Sequence, residues 1–159
     1  MSSTNTAADE LRQMLTEYCN HHKRNFFDIE IVKNMLTNVS EDQRYELLSA
    51  KTDNYRNTVL TLEAGRGHTE LCVTLLSSLP PADRLTLIFI DNCTALHAAA
   101  YWGCTETVSG ILNCLTAEQQ VKLLSTENSD GKTALHDAAS RGRTETVKTL
   151  LDNLTPEQQ

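Results

Sequence analysis

His97 and His136 stand at the same place in two similar stretches of the sequence. A histidine that recurs invites an acid–base or metal-ligand reading. No nucleophile or carboxylate recurs beside them, so neither role is expected. Cys19-Asn20-His21-His22 resembles part of a metal site. A structural zinc needs four well-placed ligands, however, and no second Cys/His pair has matching spacing. The five cysteines are odd in number and scattered, as expected of reduced thiols in a cytosolic chain. Cys72 aligns with Val108 and should be a small buried hydrophobe, whereas Cys93, Cys104 and Cys114 fall at variable or surface-like positions. No Gly-rich phosphate loop, G-x-S-x-G elbow or H-E-x-x-H occurs. The cluster His21-His22-Lys23-Arg24 reads as a solvated loop end. These residues predict no enzyme, no metal and no cofactor.

Composition narrows the remaining classes. The chain has 159 residues, 40% apolar but only 5% aromatic, so its core must come from Leu, Ala and Val. Such a core suits stacked helices and disfavours a β-sandwich. Fourteen basic and 21 acidic side chains give a net charge of −7, against binding to nucleic acid or anionic lipid. No apolar run has the length of a membrane span. The N-terminus lacks the basic-then-apolar order of a secretory signal. A cytoplasmic, monomeric chain is expected, and secretion of a bacterial effector into a host cytosol stays open.

The elements that must position any site come from internal repetition. TALHAAAYWGCTETVSGIL at 94–112 matches TALHDAASRGRTETVKTLL at 133–151, and a weaker copy, TVLTLEAGRGHTELCVTLL, lies at 58–76. Leu135, Ala138 and Ala139 form one helical stripe, and Val147, Leu150 and Leu151 form the next. Gly67, Gly103 and Gly142 recur between the two segments, where a left-handed residue is needed to end a helix. A Thr and a Glu then open the second helix, the hydroxyl able to cap and the carboxylate placed at the positive end of the dipole. Ser40-Glu-Asp-Gln43, Thr116-Ala-Glu-Gln119 and Thr155-Pro-Glu-Gln158 fit capping boxes, which predicts a short extra helix in each unit. Pro80-Pro81 replaces that cap in one unit, where an irregular helix is expected. Units are placed at 39–78, 79–114 and 115–153. Residues 154–159 open a further, truncated one, as though the chain were cut from a longer protein. Residues 1–8 are expected to be disordered, and 9–38 to form two capping helices with a stripe of Leu11, Met14, Leu15 and Tyr18.

Thr-Ala-Leu-His, Ala-Ala and Gly-x-Thr-Glu-x-Val-x-x-Leu-Leu resemble the ankyrin repeat. The copy at Thr58 departs from it at Val59, Thr61 and Glu63. The resemblance implies an all-α helix–turn–helix solenoid. It also implies that His97 and His136 bridge adjacent hairpins, with Thr94 or Thr133 nearby. Gly67, Gly103, Gly131 and Gly142 would be structural. Partners of such proteins lie across hairpin tips and the exposed ends of first helices. Carried over by position, the candidate contacts are Tyr55, Asn57, Arg66, Ile90, Asp91, Tyr101, Trp102, Asp130, Lys132 and Arg141. Trp102 is the sharpest of them, because aromatic and Arg side chains dominate interface hot spots. Its alternative role is to rest its ring on a neighbouring unit. Arg66 and Arg141 weakly suggest an acidic partner. The expected function is a non-catalytic protein–protein interaction module with a concave groove. The alternatives are a regulatory or targeting arm of a larger enzyme or channel, and a spacer with no partner on this segment.

Overall fold

The computed structural model describes residues 3–20, 28–51, 57–90 and 93–154. Among the described residues there are eleven helices and no strand. In chain order they are α1 (Ser3–Asn20), α2 (Ile29–Thr37), α3 (Glu41–Ser49), α4 (Val59–Arg66), α5 (Thr69–Ser77), α6 (Pro81–Ile88), α7 (Ala95–Trp102), α8 (Thr105–Asn113), α9 (Ala117–Leu124), α10 (Ala134–Ser140) and α11 (Thr144–Asp152). They stack in three rows. First helices α1, α4, α7 and α10 pack in succession, as do second helices α2, α5, α8 and α11. The extra helices form the third row: α3 packs on α6, and Gln119 of α9 donates to the Pro81 carbonyl at 2.8 Å. The chain is an all-α solenoid.

Stacking is visible in what it covers. His97 and Ala100 of α7 are fully buried, whereas their equivalents His136 and Ala139 on α10 are exposed. The same residue types differ only in whether a described layer lies over them. Branched aliphatic side chains such as Leu60, Leu76, Leu96, Ile111 and Leu112 carry one continuous core through the pile. Gly67 (φ 77°) and Gly103 (φ 76°) end α4 and α7 in the left-handed conformation that side chains resist. Capping boxes at Ser40/Gln43 and Thr116/Gln119 start α3 and α9.

Three local expectations need correction. The tail expected to be disordered over residues 1–8 is helical from Ser3. Ala8 continues the stripe of Leu11 and Leu15, and all three are buried; the side chain of Tyr18 and Thr155–Gln158 lie outside the described residues. The segment after Pro80-Pro81 is a regular helix, because Pro81 sits in the first turn, where its missing N–H costs nothing. The Thr hydroxyls that open the second helices do not cap them. Thr69 bonds Thr107, and Thr105 bonds Thr146, each at 2.7 Å, so the hydroxyls tie α5 to α8 and α8 to α11.

Arginine joins the units at the third row. Arg44 donates through Nε to the Val39 carbonyl (2.9 Å) and through Nη1 to that of Ser78 (3.0 Å). Arg84 does the same with Leu79 (2.9 Å) and Cys114 (2.9 Å). Each guanidinium thus satisfies carbonyls in two successive layers. Charge-assisted bonds of this kind predict that Arg84→Ala lowers stability by about 1.5 kcal/mol. A urea midpoint unchanged in that variant would contradict the role.

Candidate protein-binding groove

An open groove of about 670 Å³ runs along the first-helix row. Equivalent positions of successive helices build it. Leu62, Ala98 and Asp137 stand at one position of α4, α7 and α10, and all three line the groove. Gly65 and Tyr101, then Arg66 and Trp102, line it three and four residues further along their helices. Asn57, Cys93 and the tip 128–130 line it from the segments that precede the helices.

Aromatic side chains cross from unit to unit. A Cβ placed on Gly65 would lie 3.2 Å from Cδ1 of Trp102, so the indole rests against a residue that has no side chain. Tyr101 meets Trp102 edge-on, with centroids 5.3 Å apart. The Arg141 guanidinium stacks 4.0 Å above the Tyr101 ring. Trp102 nevertheless keeps 60% of its surface exposed. Its edge packs on the preceding unit while most of the ring faces solvent.

The other candidates divide. Asn57, Arg66, Tyr101, Trp102 and Asp130 come together in the groove. Arg141 stacks on Tyr101 and does not line it. Ile90 does not line the groove: its half-buried side chain packs against the core, and its carbonyl accepts from Lys51 Nζ at 3.1 Å. Lys132 is exposed and enters the scaffold through its carbonyl. Tyr55, Asp91 and the cluster 21–24 lie outside the described residues, as does the side chain of Cys19. Positional analogy missed Thr61, Leu62, Ala98, Asn128 and Asp137. The available signal was that one helix position takes Leu, Ala and Asp in turn, which no shared core position would allow.

Charge in the groove also differs from expectation. Arg66 is not presented to a partner alone: its Nη1 lies 2.6 Å from Oε1 of Glu63, whose other oxygen is 2.5 Å from His68 Nδ1. Glu63 is completely buried where the equivalent units carry Ala99 and Ala138. With Arg141 stacked on Tyr101, the arginine pair gives little support to an acidic partner.

His97 is structural, whereas the exposed His136, expected to bridge hairpins, bonds to Thr133 of its own unit. A carbonyl can only accept, so His97 Nε2–H donates to Lys132 O (2.9 Å) and Nδ1 accepts from the Thr94 hydroxyl (2.8 Å). The neutral ring thereby joins one hairpin to the next. Burial pushes the imidazole below its ordinary value near 6.5, against weaker raising effects of the Lys132 carbonyl and Asp137. Below that pH the unfolded chain binds a proton that the folded chain resists, so stability falls as pH drops towards the folded value. Between pH 7 and pH 5 the urea midpoint should fall more in the wild type than in His97→Gln. An equal fall would remove His97 as the cause. Burial also pushes the Cys72 thiol up to about 12 and raises that of Cys104, which keeps both protonated. Among the described residues no group of three His, Cys, Asp or Glu is placed to hold a metal, and no helix is long and apolar enough to cross a membrane.

The family described as ankyrin repeats (3 copies) matches residues 64–159. The chain belongs to the ankyrin-repeat family, and with it to a class of protein-interaction modules that is typically non-catalytic. The match begins inside α4, just after the departures at Val59, Thr61 and Glu63. No curated protein matches the chain. Among solved structures it is similar to a chain in the crystal structure of the yeast ribosomal protein Rps3 in complex with its chaperone Yar1. That likeness has a TM-score of 0.62 and 20% identity, covering 94% of this chain and 91% of the other. At that identity it shows the fold.

Proposed function

We infer that this chain is a non-catalytic module that binds a segment of another protein along the groove of α4, α7 and α10. The observation that carries the reading is Trp102. A large aromatic side chain, 60% exposed and held in place by Gly65 and Tyr101, offers contact area at little ordering cost. The groove around it is open, and its wall residues vary between units while the stacking residues repeat. That division suits recognition, because the wall can change without loosening the pile. In the crystal structure of Rps3 with its chaperone Yar1, a protein of this fold occurs in a protein–protein complex, which supports the same class of function.

Trp102→Ala should weaken partner binding by about 2 kcal/mol or more. Affinity capture from cell extract with the wild type and with a Tyr101/Trp102/Arg141 triple alanine variant extends the test. Partners recovered by the wild type should be lost from the folded variant. Recovery of the same proteins by both would place the contact elsewhere.

A further inference from the structure

We propose that the groove is built for a basic segment, with a Lys or Arg side chain of the partner placing its cation at Asp137. This rests on the groove reading and adds the chemistry of the occupant. Asp137 is only 7% exposed and lines the groove. Its equivalents Leu62 and Ala98 are apolar, so stacking does not require a carboxylate there. Among the described residues its side chain receives one hydrogen bond, from Asn128 Nδ2 to Oδ2 at 3.2 Å. The orientation of that amide is fixed, because Asn128 Oδ1 accepts from the backbone N–H groups of Asp130 (2.9 Å) and Lys132 (3.1 Å). Among the described residues that neutral donor is the one hydrogen-bond partner of the carboxylate, and Oδ1 has none. Among the described residues no cation forms an ion pair with Asp137. Its titratable neighbour His97 is buried in neutral form, with both ring nitrogens engaged by Thr94 and Lys132.

A carboxylate buried without a cation is costly, and a cation arriving from a partner recovers that cost. The surroundings suit such a cation. Asp130 adds a second carboxylate, and the exposed Trp102 ring offers an apolar face along which a long aliphatic stem can lie. The chain's net charge of −7 draws basic segments towards it. Helices in contact lie about 10 Å apart, so Leu62 and Asp137, two helices apart, are separated by roughly 20 Å. An extended chain covers that in about six residues. The preferred segment therefore carries an apolar side chain over Leu62 and a basic one about six residues away.

Displayed random peptides of about twelve residues, selected on the full chain, test this. The wild type should enrich peptides with Lys or Arg at a fixed distance from an apolar residue. Asp137→Asn should keep its melting temperature and the apolar preference, lose the basic preference, and bind the selected peptides about tenfold or more weakly. Trp102→Ala should lose enrichment altogether. Enriched peptides without a basic position, or a basic preference that survives in Asp137→Asn, overturn the proposal and leave the groove standing. A fall in the melting temperature of Asp137→Asn would show a structural carboxylate and also overturn it. Enrichment untouched by Trp102→Ala, or absent from the wild type, overturns the groove reading together with the proposal.

Discussion

Replacing both Arg66 and His68 by alanine should lower stability by about 3 kcal/mol, whereas Glu63→Ala should cost less than half as much. The asymmetry follows from burial. Glu63 is completely buried, while the side chains of Arg66 and His68 are 32% and 49% exposed. Stripping those two side chains removes the ion pair with Arg66 and the short hydrogen bond with His68 from a buried carboxylate. Removing the carboxylate instead leaves an arginine and a histidine whose side chains can both reach water, and it installs the residue type already buried at Ala99 and Ala138. Urea unfolding of the three proteins decides the matter. Equal losses in the Glu63→Ala and double variants would mean that packing, rather than charge, governs the site.

The second large effect separates the pile from its surface. Leu96→Ala should destabilise the chain by about 3 kcal/mol, because Leu96 is fully buried in α7, which packs against both α4 and α10. Trp102, six residues along the same helix, should cost about 1 kcal/mol or less on truncation, since most of its ring already faces solvent. Neighbouring layers stabilise one another, so loss at α7 weakens the units on both sides. Chemical denaturation followed by circular dichroism reads both variants. Equal destabilisation by the two would make Trp102 a core residue and remove the main support for the groove.

How much of this was legible in the sequence depends on whether a feature repeats. Gly67 and Gly103 end helices by a rule that involves only their own backbone, and Ser40/Gln43 and Thr116/Gln119 close capping boxes within four residues. Such local devices recur in each unit and can be read directly. The His97 bridge was legible only through the family resemblance, because its acceptor is the Lys132 carbonyl in the next unit. Arg44 and Arg84 stand at matching positions, yet their carbonyl partners 34 and 30 residues on carry no side-chain signature. The Thr69–Thr107 and Thr105–Thr146 bonds have no local sign, since a hydroxyl at a helix start commonly caps. The Glu63 cluster was opaque for another reason: Arg66 and His68 align with Trp102 and Cys104, so no pattern marks them as its partners. Site candidates chosen by position alone reached Tyr101 and Trp102 but also Ile90, whose side chain turns to the core.

A photo-crosslinking residue placed at Trp102, and in a second protein at exposed Lys148 on α11, tests the central claim most directly. Partner adducts in cell extract should form from position 102 and not from 148. Adducts from 148 with none from 102 would contradict recognition along the first-helix row.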